Sequence, residues 1–139
     1  MLTLLLGVQV VTTLFLVGLI WTIQSVSYPL FASVPASGAA AYHAEHMRRI
    51  TPLVAPPMFL EVFCAGLLLL VYPGFLPWLG ALLLLIIWMS TVFLQMPAHG
   101  ELAEKFDPKV AQRLVQSNWL RTIAWTMRGV VAVAMFFRL

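Results

Sequence analysis

The sequence has little charge and almost no cysteine. Only 9% of its 139 residues are charged, whereas 62% are hydrophobic, and the mean hydropathy is +0.96. Soluble domains have roughly 25% charged residues, so this composition excludes a soluble globular domain and indicates an integral membrane protein. The single cysteine, Cys64, excludes an internal disulfide bond and a cysteine-based zinc site.

Long apolar runs take the place of the missing charge. A helix needs about 20 residues to cross a hydrocarbon core of about 30 Å, whereas barrel strands would be shorter and would alternate in polarity. We therefore expect an all-α integral membrane four-helix bundle that forms a single domain over residues 1–139. Its predicted spans are residues 2–24, 56–72, 76–96 and 118–137.

The first apolar run lacks the positive charge that precedes a signal peptide. No lysine or arginine occurs before Arg48, so we interpret this run as a true span. In the first connection, residues 38–51 are predicted to form a short interfacial helix that ends at Thr51-Pro52. In the third connection, Asp107 is the predicted N-cap and Pro108 the first residue of another interfacial helix, or of a helix that continues directly into the fourth span.

Basic residues are concentrated in two of the connections. By the positive-inside rule, both connections are expected in the cytoplasm and both termini outside, in a bacterial inner membrane. The net charge of +3 reflects this topology and does not indicate nucleic-acid binding. The first and third connections carry Arg48, Arg49, Lys105, Lys109 and Arg113, whereas Arg138 alone lies beyond the spans on the other side.

Polar side chains near the span ends are predicted to meet at one end of the bundle. In an up-and-down bundle, the end of the first span, the start of the second, the end of the third and the start of the fourth lie at one depth. The stretch "YHAEHMRR" lies at the same level. The residues concerned are Gln24, Tyr28, Glu61, Gln95, His99, Asn118 and Arg121.

The three histidines suggest a metal site. His43 and His46 are three residues apart and share a helical face. Together with His99 and Glu61, they would provide three nitrogens and one carboxylate, a set suited to iron, zinc or copper. Haem held by two histidines is a less favoured alternative. The other interpretation is that the histidines only solubilise an interfacial helix.

Charged residues inside the spans require partners, because an acid or arginine in hydrocarbon costs a few kcal/mol. Arg121 is the expected partner of Glu61, and Arg128 lies about 10 Å deeper. Either the pair is structural, or the arginines, with Asn118 and Trp125, orient a carbonyl, phenolate or carboxylate. In the second case, Gln24, Tyr28 and Gln95 would supply supporting hydrogen bonds.

The motifs "YPLF", "YHAEH", "QMPAHGEL" and "NWLRTIAWTMR" together resemble small four-span bacterial membrane proteins of unknown function related to the anthrone-oxygenase-like membrane family. The resemblance covers most of the chain. That family usually has a histidine between the tryptophan and arginine of its final helix, and the fourth span here has none. The resemblance implies a four-span membrane protein. Because the histidine is absent, the resemblance does not extend to the family's oxygenase activity.

We predict a membrane-embedded, metal-dependent oxidoreductase that acts on an apolar or aromatic lipid-soluble substrate near the cytoplasmic leaflet. Its metal ligands would be His43, His46, His99 and Glu61. Arg121 and Arg128 would orient the substrate. The alternative is a non-catalytic accessory or ligand-binding protein whose polar cluster is structural. A transporter ranks third, because 139 residues provide no inverted repeat without dimerisation. Membrane lipid is an expected partner, and a homo-oligomer is compatible with the sequence.

Overall fold

The computed structural model describes residues 1–31 and 33–138, and every regular element in these two ranges is helical. Two π-helical turns, Ile23–Ser27 and Thr91–Gln95, interrupt the α-helices. The α-helices are α1 (Leu2–Thr22), α2 (Tyr28–Phe31), α3 (Ala36–Val71), α4 (Phe75–Ser90), α5 (Met96–Glu104) and α6 (Pro108–Phe136).

These elements form four antiparallel rods, because each π-helical turn joins two helices end to end. The first rod is α1 with α2, and the third is α4 with α5. Two levels of contact give the direction of packing for the first rod and α6: Leu6 shares an apolar cluster with Met135, whereas Trp21 meets Thr126. Gln9 of the first rod meets Glu61 of α3. The α6 rod packs against both α1 and α4.

Three of the four rods are long and apolar enough to cross a membrane: Leu2–Phe31, Ala36–Val71 and Phe75–Glu104. The class predicted from composition, a helical membrane protein, agrees with this finding. The α6 rod is not in this group, and it carries Arg113, Arg121 and Arg128 along its length.

The structure corrects the predicted first connection. Residues 38–51 do not form a separate helix, because α3 continues from Ala36 to Val71 through Pro52, Pro56 and Pro57. Each proline removes one N–H donor and leaves the carbonyl four residues earlier without its helical partner. The residues with these carbonyls are exposed, so water or lipid headgroups can satisfy them: Arg48, Pro52 and Leu53.

The third connection follows the prediction more closely. Asp107 caps α6, since its carboxylate accepts a hydrogen bond from the backbone N–H of Lys109 at 2.8 Å, and Pro108 is the first helical residue. The helix then runs without a break through the predicted fourth span. The short helix α5 precedes it.

The rods are longer than a membrane is thick. The 36 residues of α3 extend about 54 Å at 1.5 Å per residue, against about 30 Å of hydrocarbon. Because the apolar half of α3 follows Pro57, the excess length lies at the end with the first and third connections. We call this the connection end, and the opposite end, with Met1 and Arg138, the terminal end.

Apolar and polar layers alternate along the bundle. An apolar layer with Leu6 and Leu68 lies at the terminal end, and one with Leu16, Ile87 and Trp125 lies in the middle. A third, with Leu102 and Leu114, lies at the connection end. Two buried polar clusters occupy the levels between these three layers.

Candidate functional site

The inner cluster centres on an ion pair between Glu61 of α3 and Arg128 of α6. Oε2 of Glu61 lies 2.8 Å from Nε and 2.7 Å from Nη2 of Arg128. The two side chains are 0% and 3% exposed, so the pair is removed from solvent. A buried pair requires further hydrogen bonds to offset desolvation.

Side chains of α1 and a backbone carbonyl of α4 supply these hydrogen bonds. Nε2 of Gln9 donates to Glu61 at 2.5 Å, and the Thr13 hydroxyl lies 2.8 Å from the same carboxylate. The Thr12 hydroxyl also contacts it, and Nη1 of Arg128 donates to the carbonyl of Gly80. The inner cluster therefore joins all four rods and has the properties of a structural core.

The prediction that Glu61 is buried against an arginine is confirmed, but the expected partner, Arg121, was wrong, because Glu61 pairs with Arg128. The predicted depth was wrong, because Glu61 lies opposite Gln9 and not at the level of Gln24. The error arose from placing the start of the second span at residue 56. In the structure, α3 begins at Ala36, and its packing against α1 sets a different axial register.

The second cluster, at the connection end, consists of Gln24, Gln95, Ser117, Asn118 and Arg121, and we call it the outer cluster. Within it, a directed chain of hydrogen bonds orients Arg121. Nε2 of Gln24 donates to the carbonyl of Val115 at 3.3 Å, which leaves its Oε1 to accept from Nδ2 of Asn118 at 2.7 Å. Oδ1 of Asn118 then accepts from Nη1 of Arg121 at 3.2 Å.

Arg121 has no acidic partner among the residues that the structure describes. Its side chain is only 7% exposed, and its Nε has no hydrogen-bond partner. All four ion pairs in the described ranges involve other residues. A buried cation without a counter-charge is costly, so Arg121 is the strongest candidate for a binding residue.

Gln95 adds a second buried atom without a partner to the outer cluster. The side chain is 1% exposed and belongs to the π-helical turn Thr91–Gln95. Its Nε2 donates to the hydroxyl of Ser117 at 2.9 Å, whereas its Oε1 has no partner. Such π-helical turns frequently occur at functional sites, and Gln24 lies in the other one.

The histidine pair, His43 and His99, lies beyond the outer cluster toward the connection end. Nδ1 of His99 lies 3.0 Å from Nε2 of His43 in a hydrogen bond, and the rings are stacked with centroids 5.0 Å apart. The hydroxyl of Tyr28 lies 3.5 Å from Nε2 of His99. The three side chains form a continuous hydrogen-bonded chain that can carry a proton when both imidazoles change tautomer.

The structure does not assemble the predicted four-ligand metal site. Glu61 lies 18 residues after His43 on the same helix, about 27 Å along its axis, and its oxygens are occupied in the inner cluster. Within residues 1–31 and 33–138, no three His, Cys, Asp or Glu side chains are grouped as a metal site would require. Nε2 of His43 and Nδ1 of His99 bond to each other, so the described residues do not form the predicted four-ligand set.

His46 and Trp125 lie apart from both clusters. His46 is partly exposed, with its ring centroid 5.1 Å from that of Phe31, and has no contact with His99 in hydrogen-bond range among the described residues. Trp125 was predicted to line a binding pocket, but it is 1% exposed and packs in the middle apolar layer. It separates the levels of Arg121 and Arg128.

Sequence reasoning missed the polar residues of α1 and the role of Ser117. Gln9 and Thr13 are four residues apart in an apolar run, a spacing that places both on one face, and this signal could have identified them as partners of a buried charge. Ser117 had no comparable signal. Its contact with Gln95 depends on how α4 and α6 pack.

Ion pairs surround the connection end at its surface. Glu45 pairs with Arg48 at 2.7 Å and with Arg49 at 2.5 Å, and Arg113 pairs with Glu101 at 3.1 Å. All five side chains are exposed, and exposed pairs contribute at most about 1 kcal/mol. These groups therefore give the connection end a polar surface and add little to stability.

Comparisons of the chain with protein-family models, with curated proteins and with solved structures give no match. The resemblance to the anthrone-oxygenase-like family therefore stays a prediction from the motifs. The geometry of the two clusters is the basis for assigning a function.

Proposed function

We propose that this integral membrane protein binds a lipid-soluble small molecule with an anionic oxygen head at the outer cluster, with Arg121 as its charged anchor. The observation that carries the proposal is the burial of Arg121 without an acidic partner in the described part of the chain. Arg128 provides the contrast, because it has the same chemistry on the same helix and is fully paired.

The energetics favour a ligand over a purely structural role. A buried guanidinium costs several kcal/mol, which a structural residue recovers through its counter-ion. The chain of Gln24 and Asn118 holds Arg121 in one orientation, but both are neutral amides. An anionic oxygen at Arg121 would supply the missing charge.

An apolar groove at the same depth offers room for a hydrocarbon tail. It has a volume of about 390 Å³, and its wall includes Ser90, Leu94 and Leu120. Leu94 and Leu120 are one residue from Gln95 and Arg121, so the groove lies within about 1.5 Å of their depth along the helices. A ligand entering from the lipid would lie with its tail in this groove and its head between α4 and α6.

An enzyme is the second candidate, and the chain from Tyr28 through His99 to His43 favours it. These side chains lie next to the outer cluster and could exchange a proton with a bound substrate. The prediction of a metal-dependent oxidoreductase is tested by metal analysis of gently purified protein. Stoichiometric iron, zinc or copper that is lost in both His43→Ala and His99→Ala would support it.

The test of binding uses dodecanoate, with the neutral alcohol dodecanol as matched ligand control, on protein in nanodiscs compared with empty nanodiscs. We expect Arg121→Met to weaken dodecanoate binding about 10- to 100-fold, since hydrogen bonds to charged groups contribute about 1.5–3 kcal/mol. Arg113→Gln, an exposed change on the same helix, should leave binding unchanged.

Thermal unfolding provides the folding control. Arg121→Met should not be less stable than the wild type, because methionine removes an unpaired buried charge. Binding of dodecanoate no greater than to empty nanodiscs, or equal binding by the Arg121 variant, would overturn the proposal.

A further inference from the structure

The orientation of the Gln95 amide is determined by its neighbour. Ser117 has one hydroxyl proton, which it donates to the carbonyl of Leu114 at 3.1 Å. Its oxygen must therefore accept from the amide at 2.9 Å, so the nitrogen of Gln95 faces Ser117. The Gln95 oxygen consequently faces away from Ser117, buried and without a donor.

Helical spacing places this unpaired acceptor near the unpaired donor of Arg121. Ser117 and Arg121 are four residues apart on α6 and share a face, with a rise of about 6 Å between them. The amide of Gln95 lies against Ser117, and the guanidinium belongs to Arg121, one turn further along α6. At this spacing, one small head group would have both atoms within reach.

We infer that the ligand's head carries a hydroxyl donor beside its anionic oxygen, as in a 2-hydroxy acid. This inference rests on the proposed function of Arg121 and specifies the chemical class of ligand that the outer cluster binds. The anionic oxygens accept from Nε of Arg121, and the adjacent hydroxyl donates to Oε1 of Gln95. Both buried atoms that lack partners in the outer cluster are then satisfied.

The same geometry disfavours a simple carboxylate. A ligand with acceptors only would satisfy Arg121 but would leave the Gln95 oxygen buried and unpaired, which is costly. Sites built around a substrate hydroxyl reject analogues without it far more strongly than apolar pockets reject a missing methylene. We therefore expect discrimination in favour of the hydroxyl.

The decisive comparison is between 2-hydroxydodecanoate and 2-methoxydodecanoate, each bound to wild-type protein in nanodiscs with empty nanodiscs as reference. The two acids have similar acidity and tail length. Only the first has a hydroxyl group on its second carbon that can donate a hydrogen bond. We expect the hydroxy acid to bind at least about tenfold more tightly. Equal affinities would overturn this inference and leave the role of Arg121 intact.

Two variants test whether Gln95 causes the preference for the hydroxy acid over the methoxy acid. Gln95→Met removes the acceptor and should bring the two affinities within about twofold, whereas Gln116→Met, an exposed glutamine on α6, should preserve the difference. Retention of the preference in Gln95→Met would assign it to another residue and contradict the inference. If neither acid bound above empty nanodiscs, the proposed function would fail as well.

Discussion

Arg121 and Arg128 lie two turns apart on α6, and their surroundings differ completely. Arg128 bonds to Glu61 and to the carbonyl of Gly80, whereas Arg121 bonds only to Asn118 among the described residues. Identical side chains on one helix therefore serve different purposes. The paired arginine holds the rods together, and we propose that the unpaired arginine binds a ligand.

The inner ion pair should be essential for stability. Glu61→Gln leaves Arg128 buried without its counter-charge, and breaking such a pair costs about 3–5 kcal/mol. We expect a marked fall in the thermal unfolding temperature, measured in detergent or nanodiscs. The control is Glu101→Gln, which removes an exposed partner of Arg113 and should change stability by no more than about 1 kcal/mol.

A double variant separates loss of the charge pair from loss of packing. Glu61→Gln combined with Arg128→Met removes both charges, so it should be less destabilised than Glu61→Gln alone. An unfolding temperature for Glu61→Gln equal to that of the wild type would mean that this carboxylate is not buried in the bundle.

Close packing between α4 and α6 depends on a glycine. A Cβ at Gly80 would lie 3.2 Å from Nη1 of Arg128 and 3.6 Å from Cγ1 of Val131, whereas a Cβ at Gly66 would meet no atom within 4 Å. Gly80 also presents the carbonyl to which Arg128 donates. The absence of a side chain at this position lets the guanidinium reach both the backbone and Glu61.

Substituting the two glycines should therefore have opposite effects. Gly80→Ala should lower stability by about 1–3 kcal/mol, because added volume in a packed core strains its neighbours. Gly66→Ala should be neutral or stabilising by about 0.5–1 kcal/mol, since alanine is the better helix former. Thermal unfolding of the two variants side by side measures this difference, and a more stable Gly80→Ala would contradict the packing described here.

At the scale of the whole molecule, both basic connections lie at one end. The contact between His43 and His99 joins the first and third connections there. The positive-inside rule predicts that this end is cytoplasmic. If α6 also crosses the membrane, as the sequence predicts, both termini lie on the opposite side.

Reporter fusions test this topology. A reporter fused after residue 139 should behave as external, and one inserted in the third connection, between Lys105 and Asp107, should behave as cytoplasmic. Replacing Arg48 and Arg49 by glutamine should weaken the preference, since it removes two of the five basic residues in these connections. A cytoplasmic signal after residue 139 would exclude the four-span arrangement or its predicted orientation.

The sequence by itself determined the helical membrane class, the start of α6 and the burial of Glu61 against an arginine. These features depend on local properties. Long apolar runs require helices in lipid, Asp107 and Pro108 satisfy or avoid the free N–H groups of a first turn, and a charge inside a span requires a partner. The common depth of Gln24 and Asn118 was also predicted, and the hydrogen bond between them agrees with it.

Only the tertiary structure decided how the rods are placed along one another. Helical periodicity indicates which residues share a face, but it contains no information on the axial register between two helices, which packing over the whole bundle sets. That register puts Glu61 beside Gln9 and about 27 Å from His43, and so divides the predicted metal ligands between two levels. It also leaves Arg121 and Gln95 unpaired together at the outer cluster, because the acid that would have neutralised Arg121 bonds to Arg128 instead.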